Sequence, residues 1–358
     1  MIGGGPAGLA AAIAARQQGY SVVLADGARP PVDKACGEAL MPDAILALER
    51  LGVSVPAAQA FPVRGVRFLS SDLSAETLFP SGCFGLAIRR TALHQIMRER
   101  AAALGVQLLW QSSVTGISGE LVHLGERATR AKWIVGADGA NSRVRRWANL
   151  DTHSRTAFRY SFRRHYRVRP WTDRIEIYWG KNSQAYTVGV SNDQVCVAVA
   201  SRDPKLRLEE SLPTFPRLNN RLREADPASA ERGALSANSK LRCVARGNVA
   251  LIGDASGTVD AITGQGLGLA FSQAVALSEC LGSGDVASYR AAHRRLARRP
   301  LLMARLMLTL DGRPRFQQRI LQVFRKRPAI FRRLLALHVG TLWPFLSPSM
   351  GSLWDGGY

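Results

Sequence analysis

The sequence predicts an α/β fold with a parallel-sheet nucleotide domain, an inserted antiparallel sheet and a helical C-terminal tail. Three observations predict it. Gly3, Gly5 and Gly8 stand at G-x-G-x-x-G spacing ahead of an Ala-rich run, which suits a strand that turns sharply into a helix. From Phe158 to Val168 apolar and polar residues alternate, the period of a half-exposed strand. Val249-Ala250-Leu251-Ile252-Gly253-Asp254 then returns to a buried strand, followed by a Gly-rich turn and a long helix over Gly266 to Leu281. The first and last of these belong to one layer, with the antiparallel sheet inserted between them.

In chain order, only Met1 and Ile2 precede the glycines as a first strand. The first glycine permits the turn, the second lets a phosphate approach, and the third lets helix and strand pack closely. A helix follows over Pro6 to Gln18 with Gly19 as its C-cap, then an apolar run from Tyr20 to Ala25 that ends at Asp26. Lys34-Ala35-Cys36-Gly37-Glu38 reads as a loop, and Asp43 to Leu51 as a short helix capped by Asp43 and stopped at Gly52. Val63 to Leu69 is an expected strand, Thr91 to Leu104 a helix, and Val106 to Trp110 and Trp133 to Gly139 short buried strands.

In the alternating middle, Phe158, Tyr160, Phe162, Tyr166 and Val168 share one face, interrupted by Arg164. Arg159, Ser161, Arg163, His165 and Arg167 share the other. Pro170-Trp171-Thr172-Asp173 reads as a turn, and pairing Arg169 with Arg174 sets Glu176 opposite Arg167 as a cross-strand ion pair. Gln184 to Val190 and Gln194 to Ala200 form a further expected hairpin. The resulting division is 1–150 plus 235–285 for the nucleotide domain, 151–234 for the substrate sheet and 286–358 for the basic tail. Part of 60–90 is expected to join the substrate layer.

A 46% hydrophobic content over 358 residues is ample for a core, and no stretch approaches the roughly 18 apolar residues of a membrane span. The five cysteines are scattered without C-x-x-C or zinc-ligand spacing. No metal is therefore expected, and a reduced cytoplasmic setting is. No signal peptide is expected either, since the N-terminus passes directly into the glycine motif. The net charge of +21 is concentrated: Arg290 to Arg333 carries fourteen Arg and Lys against one acid, Asp311. Because that segment is also rich in Leu, Met and Phe, it fits the inner face of a membrane better than nucleic acid. Trp343 and Phe345 are expected anchors nearby.

Two later turns carry chemistry like the first. They are Ile134-Val135-Gly136-Ala137-Asp138-Gly139 with the following Ala140-Asn141-Ser142-Arg143, and Ile252-Gly253-Asp254-Ala255-Ser256-Gly257 running on to Thr263-Gly264-Gln265-Gly266. Together with the first motif, over residues 1 to 285, they resemble the FAD-dependent hydroxylase superfamily typified by para-hydroxybenzoate hydroxylase, which also contains the geranylgeranyl reductases. The resemblance implies a glutathione-reductase-type, Rossmann-like FAD-binding domain. It implies that Gly3, Gly5, Pro6, Ala7 and Gly8 hold the FAD pyrophosphate, and that Arg90 contacts FAD. Asp26 would accept from the adenosine ribose, where the family more often has Glu. Asp138 and Gly139 would touch FAD and a transiently bound nicotinamide cofactor. Gly253 and Asp254 would bind the ribityl or pyrophosphate region, and Gly264, Gly266 and Leu267 would bring helix N–H groups to the flavin ring. The chain departs from the family at His94, where reductase-type relatives often have Asp, and at Ala261, where Pro is usual.

The implied activity is that of an FAD-dependent oxidoreductase drawing electrons from NAD(P)H. It reads first as a monooxygenase that hydroxylates a lipophilic aromatic or polyketide-like substrate. The alternative is a geranylgeranyl reductase-like enzyme that saturates prenyl double bonds. Residues 34–38 resemble the Cys-Gly segment near the flavin of those reductases, which makes Cys36 the single catalytic candidate. A small buried residue before a turn is the equal reading of Cys36. Against the reductase, only Tyr178-Trp179-Gly180 and Tyr186-Thr187-Val188-Gly189-Val190 weakly resemble its proline- and aromatic-rich lipid-binding signature. A third reading is a non-catalytic flavin-binding or flavin-free binding protein. The Arg159, Arg163, Arg167 stripe is expected to be a solvated face partnered by Glu176, rather than a site for an acidic substrate or cofactor phosphate. His165 on it reads as a surface histidine.

Overall fold

The computed structural model describes residues 1–70, 72–151, 153–284 and 286–341, and Trp343 and Phe345 lie outside them. Its helices are α1 (Pro6–Gln17), α2 (Pro42–Arg50), α3 (Arg90–Ala103), α4 (Arg143–Trp147), α5 (Leu208–Ser211), α6 (Pro216–Leu222), α7 (Gly266–Ser283), α8 (Val286–Leu310), α9 (Pro314–Lys326) and α10 (Pro328–His338). The shortness of the first strand does not break the nucleotide layer. Ile2 bridges in parallel to both Ala25 and Gly136, so it sits at the centre of that layer. Outward on one side lie Val23–Ala25 and Gln107–Leu109; on the other lie Ile134–Gly136, Val249–Leu251 and an antiparallel Ala245–Arg246. Leu24, Ile134, Val135 and Leu251 are buried in it, under α1, α3 and α7. The alanines of α1 let it approach both the sheet and α7 closely, and Ala10 to Ala15 are all buried.

The second layer is a nine-stranded sheet. Its path runs Gly257–Thr258, Arg232–Leu241, His153–Arg167, Gln194–Ser201, Ser183–Gly189, Arg174–Trp179, Gly65–Leu69, Ser74–Leu78, with Asp226–Pro227 pairing His153–Arg167 off that path. The expected hairpin of Ser183–Gly189 with Gln194–Ser201 is present. The one expected across 170–173 is not. Arg174–Trp179 pairs with Ser183–Gly189 and runs parallel to Gly65–Leu69, while Gln194–Ser201 and Arg232–Leu241 flank His153–Arg167. Tight turns close each successive hairpin of this meander, so its third strand is the one that reaches His153–Arg167. Glu176 therefore lies opposite Thr187 and Arg67, not Arg167. It is buried and accepts from Arg67 Nη1 (2.9 Å), Trp171 Nε1 (2.7 Å) and the Tyr178 hydroxyl (2.6 Å).

Two smaller expectations are also corrected. The Val63 to Leu69 strand is split at Arg64: Phe61–Val63 pairs with Gly85–Ala87, while Gly65–Leu69 joins the large sheet. The N-cap of α2 is Met41, because Pro42 opens the helix; Asp43 instead pairs with Arg299 Nη2 of α8 at 2.5 Å.

The outer face of the large sheet is covered by α5, α6 and the turn between them, whose Leu208, Leu212, Phe215 and Leu218 pack on Tyr166, Tyr178, Val195 and Val197. Its inner face receives the tail. Leu321, Phe324, Phe331 and Leu335 are buried against Phe68, Ile175 and Ile177, with Phe324 and Phe331 stacked at 4.3 Å between centroids. Each such apolar side chain contributes about 1.5–3 kcal/mol on burial. The tail thereby closes a space between the two layers.

Candidate functional site

That space is a cavity of about 740 Å³, and one wall is built from backbone. Gly3 adopts φ +105°, and a Cβ there would lie 2.5 Å from the Ala137 carbonyl oxygen. Gly8 does not line the cavity; a side chain on it would collide with the Gly3 carbonyl oxygen, so its role is helix–strand packing. A Cβ on Gly5 or Gly266 would meet nothing within 4 Å. Those two backbones are therefore bare to the cavity, at the first turns of α1 and α7, where helical N–H groups lack intrahelical acceptors and the dipole is positive. Pro6, Ala7, Gly264 (φ +64°) and Leu267 line the wall beside them.

The expected acids take definite structural positions in the same wall. Asp26 accepts from Gly4 N (2.5 Å) and Ala28 N (2.7 Å), pinning the glycine turn from the end of its strand. His94, buried below, bonds the Gly4 carbonyl through Nε2 at 2.9 Å, and burial pushes its pKa below the ordinary value. A neutral ring donating from Nε2 follows. Asp138 accepts from Ser142 Oγ (2.5 Å), Arg143 N (2.7 Å) and Val144 N (3.2 Å), so it fastens the start of α4. Gly139 follows it with φ +83°. Gly253 N donates to Gln273 Oε1 (2.8 Å), and half-exposed Asp254 faces Lys34 Nζ at 3.6 Å. Arg90, the first residue of α3, completes the set. Three turns distant in sequence thus converge on one cavity, together with Cys36.

The opposite wall overturns the reading of the basic stripe at Arg159 and Arg163, while Arg167 is exposed as expected. Arg159, Ser161 and Arg163 face the cavity, and Arg159, Arg163 and His165 are buried. Arg159 bonds Asp260 (3.1 Å) and Asp311 (2.7 Å). Arg163 bonds Asp33 (2.5 Å) and lies 3.9 Å from Glu38. The acids come from loops and the tail rather than from a neighbouring strand, which is why strand alternation alone could not assign them. His165 is a core residue: Nε2 meets Glu38 Oε2 at 2.5 Å, and Nδ1 faces Ser229 Oγ (2.9 Å) and Arg163 Nη1 (3.3 Å). A guanidinium only donates, so Nδ1 accepts and the ring proton on Nε2 goes to Glu38. Glu38 also accepts from Arg90 N at 3.0 Å and sits at φ +62°, joining the loop of Cys36 to both walls. Glu38, His165 and Cys196 offer ligand atoms within 4.8 Å of one another; two of these groups are hydrogen-bonded to each other, His165 Nε2 to Glu38 Oε2.

The far end of the cavity is apolar. Val66, Phe68, Ile175, Ile177, Trp179 and Tyr186 come from the large sheet, and Met303, Leu306, Met307, Leu310, Phe324, Phe331, Leu334 and Leu335 from the tail. The tail is tied to the flavin-side turn expected at Gly264–Gly266. His338 Nε2 bonds Thr263 O (3.0 Å), and the His338 carbonyl accepts from Gln265 Nε2 (2.6 Å) and Arg299 Nη1 (2.8 Å). Burial lowers the His338 pKa to about 4. Trp179 and Tyr186 sit within the two segments noted for their aromatics, whereas the tail's part in the wall carries no motif.

A dinucleotide fits this cavity on three structural grounds: two helix N-termini, the bare glycine backbones, and buried polar atoms left without partners. The last are Arg90 Nε, Ser161 Oγ and Ser236 Oγ, none of which has a hydrogen bond among the described residues, and all three residues line the cavity. Residues 1–291 match the FAD binding domain family, and the chain belongs to it. It is an FAD-dependent oxidoreductase by fold and family. Among curated proteins it is 28% identical over 351 residues to the menaquinone reductase of Mycolicibacterium smegmatis, covering 89% of this chain and 85% of that one. It is 27% identical over 320 residues to digeranylgeranylglycerophospholipid reductase 1 of Methanothermobacter thermautotrophicus, covering 81% and 79%. Among solved structures it resembles a flavoprotein/dehydrogenase from Cytophaga hutchinsonii (TM-score 0.84, 19% identity, 97% and 94% covered). It also resembles PqsL of Pseudomonas aeruginosa, a probable FAD-dependent monooxygenase (TM-score 0.75, 21% identity, 90% and 98% covered).

Proposed function

We propose that this protein is a flavin-dependent reductase that saturates a double bond in the isoprenoid chain of a polyprenyl lipid, with NAD(P)H as electron source. The observation that carries this reading is the apolar end of the cavity, walled by Trp179, Tyr186 and the tail's Met, Leu and Phe side chains. Such a wall matches an extended hydrocarbon along its length. The names of the two curated relatives add support, since menaquinone and digeranylgeranylglycerophospholipid both carry prenyl chains.

In this reading FAD lies along the glycine wall, its pyrophosphate at Gly3, Gly5, Pro6 and Ala7 with Gly8 packing behind, its ribose at Asp26. Arg90, Asp138, Gly139, Gly253 and Asp254 contact its middle, and Gly264, Gly266 and Leu267 its ring. Bound flavin supplies a hydride equivalent. The chain supplies the proton that the second carbon requires. Cys36 is its donor, on a loop held by Glu38 N, which bonds Cys36 Sγ at 3.4 Å. The tail excludes water from the reacting carbons.

The monooxygenase reading has the likeness to PqsL behind it. Product mass separates the two. Turnover under nitrogen should yield a lipid two hydrogens heavier; a product bearing an added oxygen atom, formed only when oxygen is consumed, would replace the reductase by the monooxygenase.

A further inference from the structure

The mouth of the apolar cavity is itself on the surface, and its surroundings have the chemistry of a lipid headgroup layer. Leu306 of α8 and Leu334 of α10 both line the cavity, yet they are 45% and 38% exposed. The cavity therefore opens between these two helices. Outward-facing apolar residues continue along the tail: Leu302 on α8, Phe316 and Val323 on α9, Ile330 on α10. Phe316 and Val323 are seven residues apart and so share one face of α9. Arg319 and Lys326, each three residues further on, flank that face. Arg333 bears the same relation to Ile330 on α10. All three cations are exposed and have no acidic partner among the described residues. No helix among those residues is long and apolar enough to cross a membrane, so this surface can lie on a bilayer without spanning it.

We infer that the α8–α10 face docks on an anionic lipid surface and admits substrate from the bilayer through the mouth between Leu306 and Leu334. Charge complementarity selects this occupant: the face joins exposed apolar side chains to uncompensated Arg and Lys, which a nucleic acid or a second copy of this basic chain would not match together. The inference deepens the proposed function by assigning the substrate's entry, but vesicle binding is read without turnover. Protein that docks and reduces no prenyl bond would sink the function alone.

The test is co-sedimentation of the full chain with phosphatidylcholine vesicles, with and without phosphatidylglycerol. Binding should require phosphatidylglycerol and weaken as salt rises. The triple variant Arg319→Glu/Lys326→Glu/Arg333→Glu should bind at least roughly a hundredfold more weakly, at unchanged melting temperature and flavin content. If that variant does not fold, the salt titration of the wild type and the single variant Arg319→Glu decide the matter, the latter expected to lose roughly tenfold. Equal sedimentation with neutral vesicles, none with either, or tighter binding to duplex DNA would overturn the inference. So would burial of the same face in a dimer, seen by sedimentation velocity and abolished by the triple variant.

Discussion

The two walls of the cavity are made in opposite ways. The glycine wall is local: each turn brings its own strand end and its own helix start within about a dozen residues, and its aspartate stands in the turn itself or, for Asp26, at the end of the next strand. The arginine wall is assembled from afar, Arg159 with Asp260 and Asp311, Arg163 with Asp33 and Glu38. The first presents bare backbone and, at Gly3 and Gly8, has no room for a side chain. The second presents buried charge and tolerates no missing partner. A local wall can be read from a motif, whereas a wall of long-range ion pairs can be read only from the fold.

The largest expected break is on the glycine side. Gly8→Val forces a side chain into the Gly3 carbonyl, at the upper end of the roughly 1–3 kcal/mol range for overpacking or beyond it. Flavin content per mole of folded protein should fall to near zero by absorbance; retention of flavin would mean the turn is not the site. On the opposite wall, Arg163→Met leaves Asp33 with Arg232 alone and Glu38 with His165 and Arg90 N, and should cost about 1.5–3 kcal/mol in urea denaturation, the scale of a hydrogen bond to a charged group. A loss below about 1 kcal/mol, the scale of an exposed pair, would restore the solvated-face reading.

The join between the walls and the tail should be acid-sensitive. Burial holds the pKa of both His338 and His293, the latter on α8 with Nε2 2.9 Å from Ser256 Oγ, at about 4, against about 6.5 unfolded. The unfolded chain thus binds these protons first. Stability is full above about pH 6.5 and falls as pH drops toward about 4, by up to roughly 3 kcal/mol for each histidine. Denaturation at neutral pH and near pH 5 checks the sign, and His338→Gln should flatten the slope. The smallest effect is expected far from the cavity. Arg130 and Glu120 pair at 3.4 Å on an exposed edge, and Arg130→Ala should move stability by less than about 0.5 kcal/mol.

The same contrast explains what was legible in the sequence. The strand–turn–helix units at Gly3, Asp138 and Asp254 announce themselves because their chemistry is contained in contiguous residues. Strand alternation over 158–168 correctly separates two faces, but it cannot say which faces inward when both are covered, one by α5 and α6 and the other by the cavity. Alternation assumes one wet face, and that assumption sent Arg159, Arg163 and His165 to the surface. Glu38 stood in a quoted motif, yet nothing in Cys36-Gly37-Glu38 hints at a histidine 127 residues away. The tail's apolar residues looked like a membrane face. Some, such as Phe324 and Phe331, instead pack inward on Phe68 and Ile177, a choice only tertiary packing makes.

Gly5→Val probes the central claim, that the bare glycine backbone is where FAD lies. A Cβ there meets no protein atom within 4 Å, so melting temperature without cofactor should stay close to that of the wild type. FAD titrated into the two proteins should give a bound flavin spectrum only with the wild type. Equal flavin binding by the valine variant, or none by either protein, would contradict it.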